Sequence, residues 1–450
     1  MPVVSIPWGD SELELQLPDH WKLQQVAKPI LRSVGEDWPD RLTRAMENVE
    51  SGLPLPQLLA ARRSGRIVLV VEDMTRHSPL DRILPLILNE IEHSKISMSQ
   101  VELVFATGMH IAMTDSQAAQ KLGPLSSRLR WRSNNCRDEA FHEYIGQSGS
   151  LPVRIDAGVA GADLRIVVSS VSPHLQSGFG GGFKMLLPGC AHLETIRALH
   201  RLGIGRSDRS LVGTSPEENP MRLAIDHAGQ LIDERHGKTF AVQYVLDESN
   251  QPAYIATGEM IATHRMLAKQ CAVGCGILTN SQADVLIANA HPRDYDLWQS
   301  FKAIANTRWA VRPGGVIICL ARCPWGVEGM PIPRFAPDSI WIRRALKLLG
   351  QEALASMITR LLPGMASDAA FFIRLAIRAI GRNHILMVSP NLAKAGVRFP
   401  GLDIFPELQQ AVAVADKILK GQPVRVNLFS SAGICYPVLP AGAGEQVSKT

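Results

Sequence analysis

A series of short, nearly all-apolar runs constrains the fold of this chain more than any other feature. They occupy 67–71, 101–106, 164–170, 285–290, 316–321 and 385–388, and segments with helical periodicity separate them. Runs of this length without polar alternation are buried on both faces, as strands of a parallel sheet covered by helices are. The expected class is therefore α/β, with mostly parallel sheets. At 450 residues the chain has length for two or three domains of roughly 150 residues each. A Gly/Cys-rich stretch at 271–280 separates two sets of strands. It predicts an N-terminal α/β domain over 1–275 and a C-terminal one over 276–404. The segment 406–420 reads as an amphipathic helix and 424–429 as a further strand, so that 405–450 is free to pack back on the first domain.

Composition narrows the class. The chain is 46% hydrophobic and 20% charged, and its net charge of +5 is scattered rather than gathered into a Lys/Arg block, which argues against a nucleic-acid partner. The first ten residues lack a basic segment followed by an apolar run, and no stretch reaches the roughly 20 apolar residues of a membrane span. A cytoplasmic location without membrane attachment is expected. The segment 369–380, interrupted by Arg374 and Arg378, reads as an amphipathic helix packed within a domain. Seven scattered cysteines do not make a disulfide framework. The pairs Cys271/Cys275 and Cys319/Cys323 have spacing that four thiolates around zinc or an iron–sulfur cluster can use. Cys319, however, sits inside an apolar strand, where a buried inert thiol is the ordinary outcome.

The polar residues fall where an α/β sheet binds ligands, outside the carboxyl ends of its strands. After 67–71 come Asp73, Thr75 and Arg76; after 101–106, Gly108 and His110; after 164–170, His174 and a glycine-rich loop; after 285–290, Gln299 and Lys302. The loop, Ser177-Gly178-Phe179-Gly180-Gly181-Gly182-Phe183-Lys184, offers backbone N–H groups and a lysine to a phosphate. As a plain turn with a solvated lysine it is equally well explained. It is neither a Walker A loop nor a dinucleotide fingerprint, because Phe183 stands where each needs glycine and Met185 where the former needs Ser/Thr. His110 and His174, each directly after a strand, suit a pair of general bases serving either enantiomer of a substrate; each also suits an ordinary structural contact to the backbone. His200, closing a helical segment, is a dipole partner or a soft nitrogen ligand for nickel, copper or zinc, with His192 as competing ligand. Arg76 has a fork that fits a carboxylate. Gln299 and Lys302 share a helix face, either a solvated one or one that holds a carboxylate and a hydroxyl.

Taken in order, Asp73-x-Thr75-Arg76, Gly108-x-His110, His174, Lys184 followed by Leu187-Pro188-Gly189, His200 and Gln299-x-x-Lys302 resemble the nickel-dependent lactate racemase family. The resemblance implies two α/β domains with the active site in the cleft between them. It implies a nickel-pincer nucleotide, a pyridinium-3-thioamide-5-thiocarboxylic acid mononucleotide, held covalently by Lys184 with His200 as the protein ligand to nickel. Asp73 and Gly180, Gly181 and Gly182 would help hold the cofactor, and His110 and His174 would be the acid/base pair. Arg76, Gln299 and Lys302 would orient the substrate. The implied reaction inverts C2 of a 2-hydroxy acid by proton-coupled hydride transfer through a transient 2-keto acid. Cofactor-synthesis proteins would be transient partners, and a homo-oligomer stays open. Met109, Trp298 and the region 333–382, which matches no motif, leave the choice of hydroxy acid undetermined. Two other readings remain: a nucleotide- or phosphate-binding protein on the same fold that is not a racemase, such as a kinase or dehydrogenase, and a non-catalytic binding protein.

Overall fold

The computed structural model describes residues 4–203, 211–327, 336–361 and 370–440, with side chains outside 359–361 and 370–373. It divides into two compact units. One runs from Leu31 to Val273; the other takes the described residues up to Ile30 and from Gly274 onward.

In the first unit a six-stranded sheet has the order Pro252–Gly258, Lys238–Leu246, Leu164–Ser170, Ile67–Val71, Val101–Phe105, Arg130–Ser133. The edge strand Pro252–Gly258 is antiparallel to its neighbour, and the other pairings are parallel. Ile67–Val71 and Leu164–Ser170 lie side by side at the centre, and every residue in both is buried. Alternation along them feeds two cores. Ile67, Leu69 and Val71 join one cluster with Ile166 and Val168, and Val68 and Val70 join another with Val167. Burial on both faces explains why these strands read as continuous apolar runs.

Helices supply the two covering layers. Leu80–His93 turns Ile83, Leu84, Ile87 and Ile91 toward the first cluster, spacing that puts them on one helical stripe. Leu193–Leu202 and Pro220–Arg235 cover the other face through Ile196, Leu199, Ile225 and Ile232. Arg165, fully buried in a central strand, donates to Asp233 at 3.0 Å and to Thr239 at 3.0 Å.

The second unit holds a six-stranded, all-parallel sheet in the order Asp403–Phe405, His384–Val388, Val311–Leu320, Ala283–Asn289, Val424–Phe429, Trp21–Ala27. This corrects the expected organisation in two ways. The segment from 405 to 440 belongs to the second unit rather than the first: Val424–Phe429 pairs with Ala283–Asn289, and helix Leu408–Leu419 contributes Leu408, Ala411, Val412 and Ala415 to the core here. The N-terminal thirty residues also belong here, since Trp21–Ala27 is the edge strand beside Val424–Phe429. Helix Ala370–Arg382 buries Ile377, Ala379 and Ile380, as a domain-packing helix does.

All seven cysteines are buried and none forms a disulfide, and no cluster of metal-ligating side chains is present among the described residues. Burial raises the Cys319 and Cys323 thiols, the latter to about 11, so both are protonated, inert side chains of the second core. No helix among the described residues is long and apolar enough to cross a membrane.

Candidate active site

Three neighbouring strands of the first unit, Leu164–Ser170, Ile67–Val71 and Val101–Phe105, run parallel, so their carboxyl ends open on one edge. The loops that follow carry most of the residues singled out above.

Behind Ile67–Val71, Glu72 and Asp73 are buried carboxylates, and each is spoken for. Glu72 accepts the Ser170 backbone N–H at 3.0 Å and the Ser170 hydroxyl at 2.7 Å, and its other oxygen takes the Ser78 hydroxyl. Asp73 Oδ1 accepts the Thr75 N–H at 2.9 Å and the Thr75 hydroxyl at 2.6 Å, closing a local turn. Its Oδ2 lies 2.6 Å from His110 Nδ1. Burial works to raise the Asp73 carboxyl, but His110 and Arg76 overcome it and hold the group well below the carboxylate range. Arg76 is fixed by donating to the Thr75 carbonyl and hydroxyl at 3.0 and 2.9 Å. Lys121 donates to the Arg76 carbonyl, and burial brings its ammonium down to about 8 against the pull of Glu72 and Asp73.

Behind Val101–Phe105, Gly108 adopts φ +56° and donates its N–H to the Gly189 carbonyl at 2.8 Å. That bond stitches the His110 loop to the chain just past Lys184, whose carbonyl accepts from Gly189 N–H at 3.1 Å. The His110 side chain is 40% exposed, so the face away from Asp73 is open to a ligand. Met109, partly buried, packs against the core.

Behind Leu164–Ser170, Pro173–His174 pairs antiparallel with Gly178–Phe179. His174 Nδ1 receives the backbone N–H groups of Gln176 and Ser177, both at 3.2 Å, and lies 3.1 Å from the Ser177 hydroxyl. The glycine loop is gripped from behind. Arg222, fully buried, donates to the carbonyls of Phe179 at 2.5 Å and Gly181 at 3.3 Å; His264 Nε2 donates to that of Gly180 at 2.9 Å. The Gly180 and Gly182 N–H groups are committed to Ser172 O and Gln243 Oε1. These two glycines thus lend backbone shape rather than open donors. At Gly181, with φ +75°, a Cβ would stand 2.8 Å from the Ser170 carbonyl, so the loop lies too close to the strand end for a side chain. Lys184 follows in a single 3-10 turn, Gly182–Met185. Burial first, then the positive charges of Arg76 and Arg222, bring its ammonium down to about 7, against Asp73 and Glu72.

His200 lies in the last turn of Leu193–Leu202, and its carbonyl accepts from the Gln176 side chain at 3.4 Å. His192 is the N-cap of the same helix, accepting from Glu194 N–H at 3.3 Å. Eight residues of helix put the two about 12 Å apart along the axis, and His192 sits beside His142 and Glu139 instead. In the second unit, Asp296 caps helix Leu297–Thr307, Gln299 is buried, and Lys302 donates to Gln299 Oε1, so the pair does share one face. Glu72, Lys121, Arg222, Gln243 and His264 were not foreseen as parts of the site. Glu72 alone had a signal in the sequence, as a carboxylate directly after an all-apolar strand.

A covered, mostly parallel sheet whose central strands end in an Asp–His pair, a glycine loop and a half-buried lysine is the framework of an α/β enzyme. The comparisons name its relatives. Residues 8–212 match the family described as the lactate racemase N-terminal domain. The chain is 29% identical over 350 residues to the lactate racemase of Thermoanaerobacterium thermosaccharolyticum, covering 75% of this chain and 79% of that one. It is 26% identical over 335 residues to the lactate racemase of Lactiplantibacillus plantarum, covering 71% and 75%. In fold it is similar to the lactate racemase apoprotein of T. thermosaccharolyticum, with TM-score 0.78 and 24% identity over 97% of this chain and 100% of that one. A Thermotoga maritima protein shares the fold at TM-score 0.61 and 15% identity, over 90% of this chain and 98% of that one. The likeness to the lactate racemase family read from the ordered motifs is therefore present in sequence and in fold.

Proposed function

We propose that this chain is an isomerase of the lactate racemase type that inverts C2 of a 2-hydroxy acid and carries a nickel-pincer nucleotide on Lys184. The observation that carries this reading is Lys184 itself. Its side chain is half-buried, and burial with the positive charges of Arg76 and Arg222 pushes its ammonium down to about 7, against Asp73 and Glu72. A neutral amine is the form that can be acylated, and the two guanidinium groups favour an anionic mononucleotide beside it. The residues therefore fit the group. Lys184 would hold it covalently, His200 would supply the protein's nitrogen to nickel, and Asp73 with Gly180, Gly181 and Gly182 would line its seat. When bound, the cofactor supplies an acceptor and donor of hydride for C2.

The chain's own residues do the rest. Arg76, already oriented by Thr75, takes the substrate carboxylate in its fork. Gln299 and Lys302 are the remaining substrate-orienting residues. His110 and His174 meet the substrate hydroxyl as the acid/base pair, with Asp73 balancing the charge that His110 gains on accepting a proton. These roles would serve inversion of C2 through a transient 2-keto acid, the histidines taking up and returning the hydroxyl proton. The expected setting is the cytoplasm, with cofactor-synthesis proteins as transient partners.

The test is intact-protein mass spectrometry with metal analysis on protein co-expressed with cofactor-synthesis machinery, followed by racemisation assays on a panel of 2-hydroxy acids. A mass increment on Lys184 with nickel, abolished by Lys184→Ala, is the expected result. An unmodified, nickel-free, inactive chain under conditions that load a known relative would move the assignment to a phosphate- or nucleotide-binding protein on the same fold.

A further inference from the structure

Helix Asp115–Leu122 follows the His110 loop and is capped by Thr114, which accepts from Gln117 N–H at 3.2 Å while Gln117 Oε1 accepts from Thr114 N–H at 3.0 Å. Its buried residues are Ala118, Lys121 and Leu122. Ala118 and Leu122 join the first core, and Lys121 stands on the same stripe, where an apolar residue is expected. A lysine in a last helical turn ordinarily favours the helix dipole and extends its ammonium into water. This one is buried and donates to the Arg76 carbonyl, 45 residues back in the chain. That bond is a second tie between the same two segments, the first being Asp73 Oδ2 to His110 Nδ1 at 2.6 Å. Arg76 N–H donates to the Asp73 carbonyl at 3.3 Å, so Asp73 and Arg76 share one turn. The turn is thus pinned at Asp73 by His110 and at Arg76 by Lys121.

Charge adds to the argument. Glu72 and Asp73 place two buried carboxylates at this turn. Burial brings the Lys121 ammonium down to about 8, so at pH 7 it is mostly charged; Glu72 and Asp73 attract it, Arg76 repels it, and Asp81 on helix Leu80–His93 attracts it in turn. Lys184 faces the same two carboxylates, but its ammonium is brought down to about 7, and attachment of the cofactor would remove its charge. Without Lys121, the two carboxylates would weigh on the Arg76 guanidinium and oppose a third, that of a substrate.

We infer that Lys121 is a positioning residue for substrate binding: it pins the Arg76 turn to the helix that follows His110, and its positive charge offsets Glu72 and Asp73, so that the Arg76 fork is left for a carboxylate. The part it plays in substrate binding rests on the racemase reading above; the bond and the arrangement of charges stand without it. Lys121 acts through Arg76. A clamp on the carboxylate holds bound substrate and transition state alike, so its disturbance falls on KM more than on kcat.

Lys121→Met roughly keeps the length of the side chain and removes both donor and charge. In loaded enzyme matched for cofactor by intact mass, KM for the 2-hydroxy acid should rise about tenfold or more, and kcat should fall by less than KM rises. Calorimetry with an inert probe separates positioning from general damage. The probe is the 2-methyl analogue of the acid turned over, which has no C2 hydrogen, and its neutral amide. The variant should lose about tenfold or more in affinity for the acid and less for the amide, which brings no charge to Arg76. Wild type supplies a reading that needs no variant: its KM should rise as pH passes about 8 and the Lys121 ammonium discharges. In the apoprotein, the Lys121 Cε signal of ¹³C-lysine spectra should titrate at about 8 instead of the ordinary 10.4 or so. A fall in kcat that matches or exceeds the rise in KM, equal losses for acid and amide, a wild-type KM unchanged across pH 8, or an ordinary lysine titration would overturn the inference. The expected titration in a chain that neither loads cofactor nor racemises any 2-hydroxy acid would overturn the racemase reading and, with it, the part of Lys121 in substrate binding.

Discussion

Replacing Asp73 with asparagine isolates what its charge does, because the local geometry dictates how the new side chain must sit. Oδ1 accepts two hydrogen bonds from Thr75, at 2.9 and 2.6 Å, so the carbonyl oxygen of an asparagine keeps that place. Its NH₂ group then takes the position of Oδ2, 2.6 Å from His110 Nδ1. Two donors cannot face each other, so the ring shifts its proton to Nε2 and withdraws the lone pair from the substrate. Loss of the charge-assisted hydrogen bond alone is worth about 1.5–3 kcal/mol, roughly a ten- to hundredfold loss in rate. The wrong tautomer adds to this. The same exchange beside the histidine of a serine-protease triad lowers turnover about 10⁴-fold with the geometry intact, so a loss on the order of 10³–10⁴-fold is expected here. The assay is racemisation followed by chiral separation, on wild type and variant matched for cofactor by intact mass, with ring tautomers read in parallel. Turnover within about threefold of wild type at equal loading, a difference below 1 kcal/mol, would refute the claim that Asp73 sets the proton state of His110.

Lys184 makes apoprotein stability depend on pH. Its ammonium titrates at about 7 when folded and near 10.4 when unfolded, so between these values the unfolded chain binds more protons. Stability must therefore rise with pH across that window, and Lys184→Met should flatten the rise in denaturation curves taken from pH 7 to 10; an unchanged slope would mean the amine is charged in the fold. Gly229, on helix Pro220–Arg235, leaves no room for a methyl group: a Cβ there would stand 2.2 Å from the buried Phe183 ring, next to Lys184 in the chain. Gly229→Ala should cost about 1–3 kcal/mol from overpacking and lower cofactor loading; a melting temperature equal to wild type would show that the ring can give way freely.

The parts of the fold legible in the sequence are those whose burial is symmetric. Ile67–Val71 and Leu164–Ser170 are covered on both faces, so their apolar runs end where the strands end. Trp21–Ala27 is an edge strand with Lys22 and Gln24 exposed, and its partner Val424–Phe429 is some 400 residues away in sequence. Neither its pattern nor its position advertises membership in a parallel sheet, and this is why the N-terminal segment reads from sequence as part of the first unit. The site divides in the same manner. Asp73, Arg76, His110, His174 and Lys184 follow strand ends, where chain order predicts a ligand-binding edge. Arg222, Gln243 and His264 reach the glycine loop from helices and a strand that carry no motif, and only the fold brings Arg222 and His264 to its carbonyls and Gln243 to the Gly182 N–H. Likewise the glycines suggested open donors, but the N–H groups of Gly180 and Gly182 are consumed within the protein.

That consumption bears on how the site treats charge. With two of the glycine N–H groups turned inward, attraction for an anion falls to the side chains, and these are arranged at some cost to the apoprotein. Arg76 and Arg222 both depress the Lys184 ammonium, and Glu72 and Asp73, the carboxylates that would relieve it, have their oxygens taken up by Ser78, Ser170, Thr75 and His110. Burial and the two guanidinium groups therefore both disfavour a cation at Lys184, and on the racemase reading conversion of its amine to a thioamide would remove that charge. On the racemase reading, the features that destabilise a protonated Lys184 are the ones that make it nucleophilic toward the cofactor. Attachment would then relieve the strain on the apoprotein while the two arginines keep their complement, an anionic nucleotide on one side and a substrate carboxylate on the other.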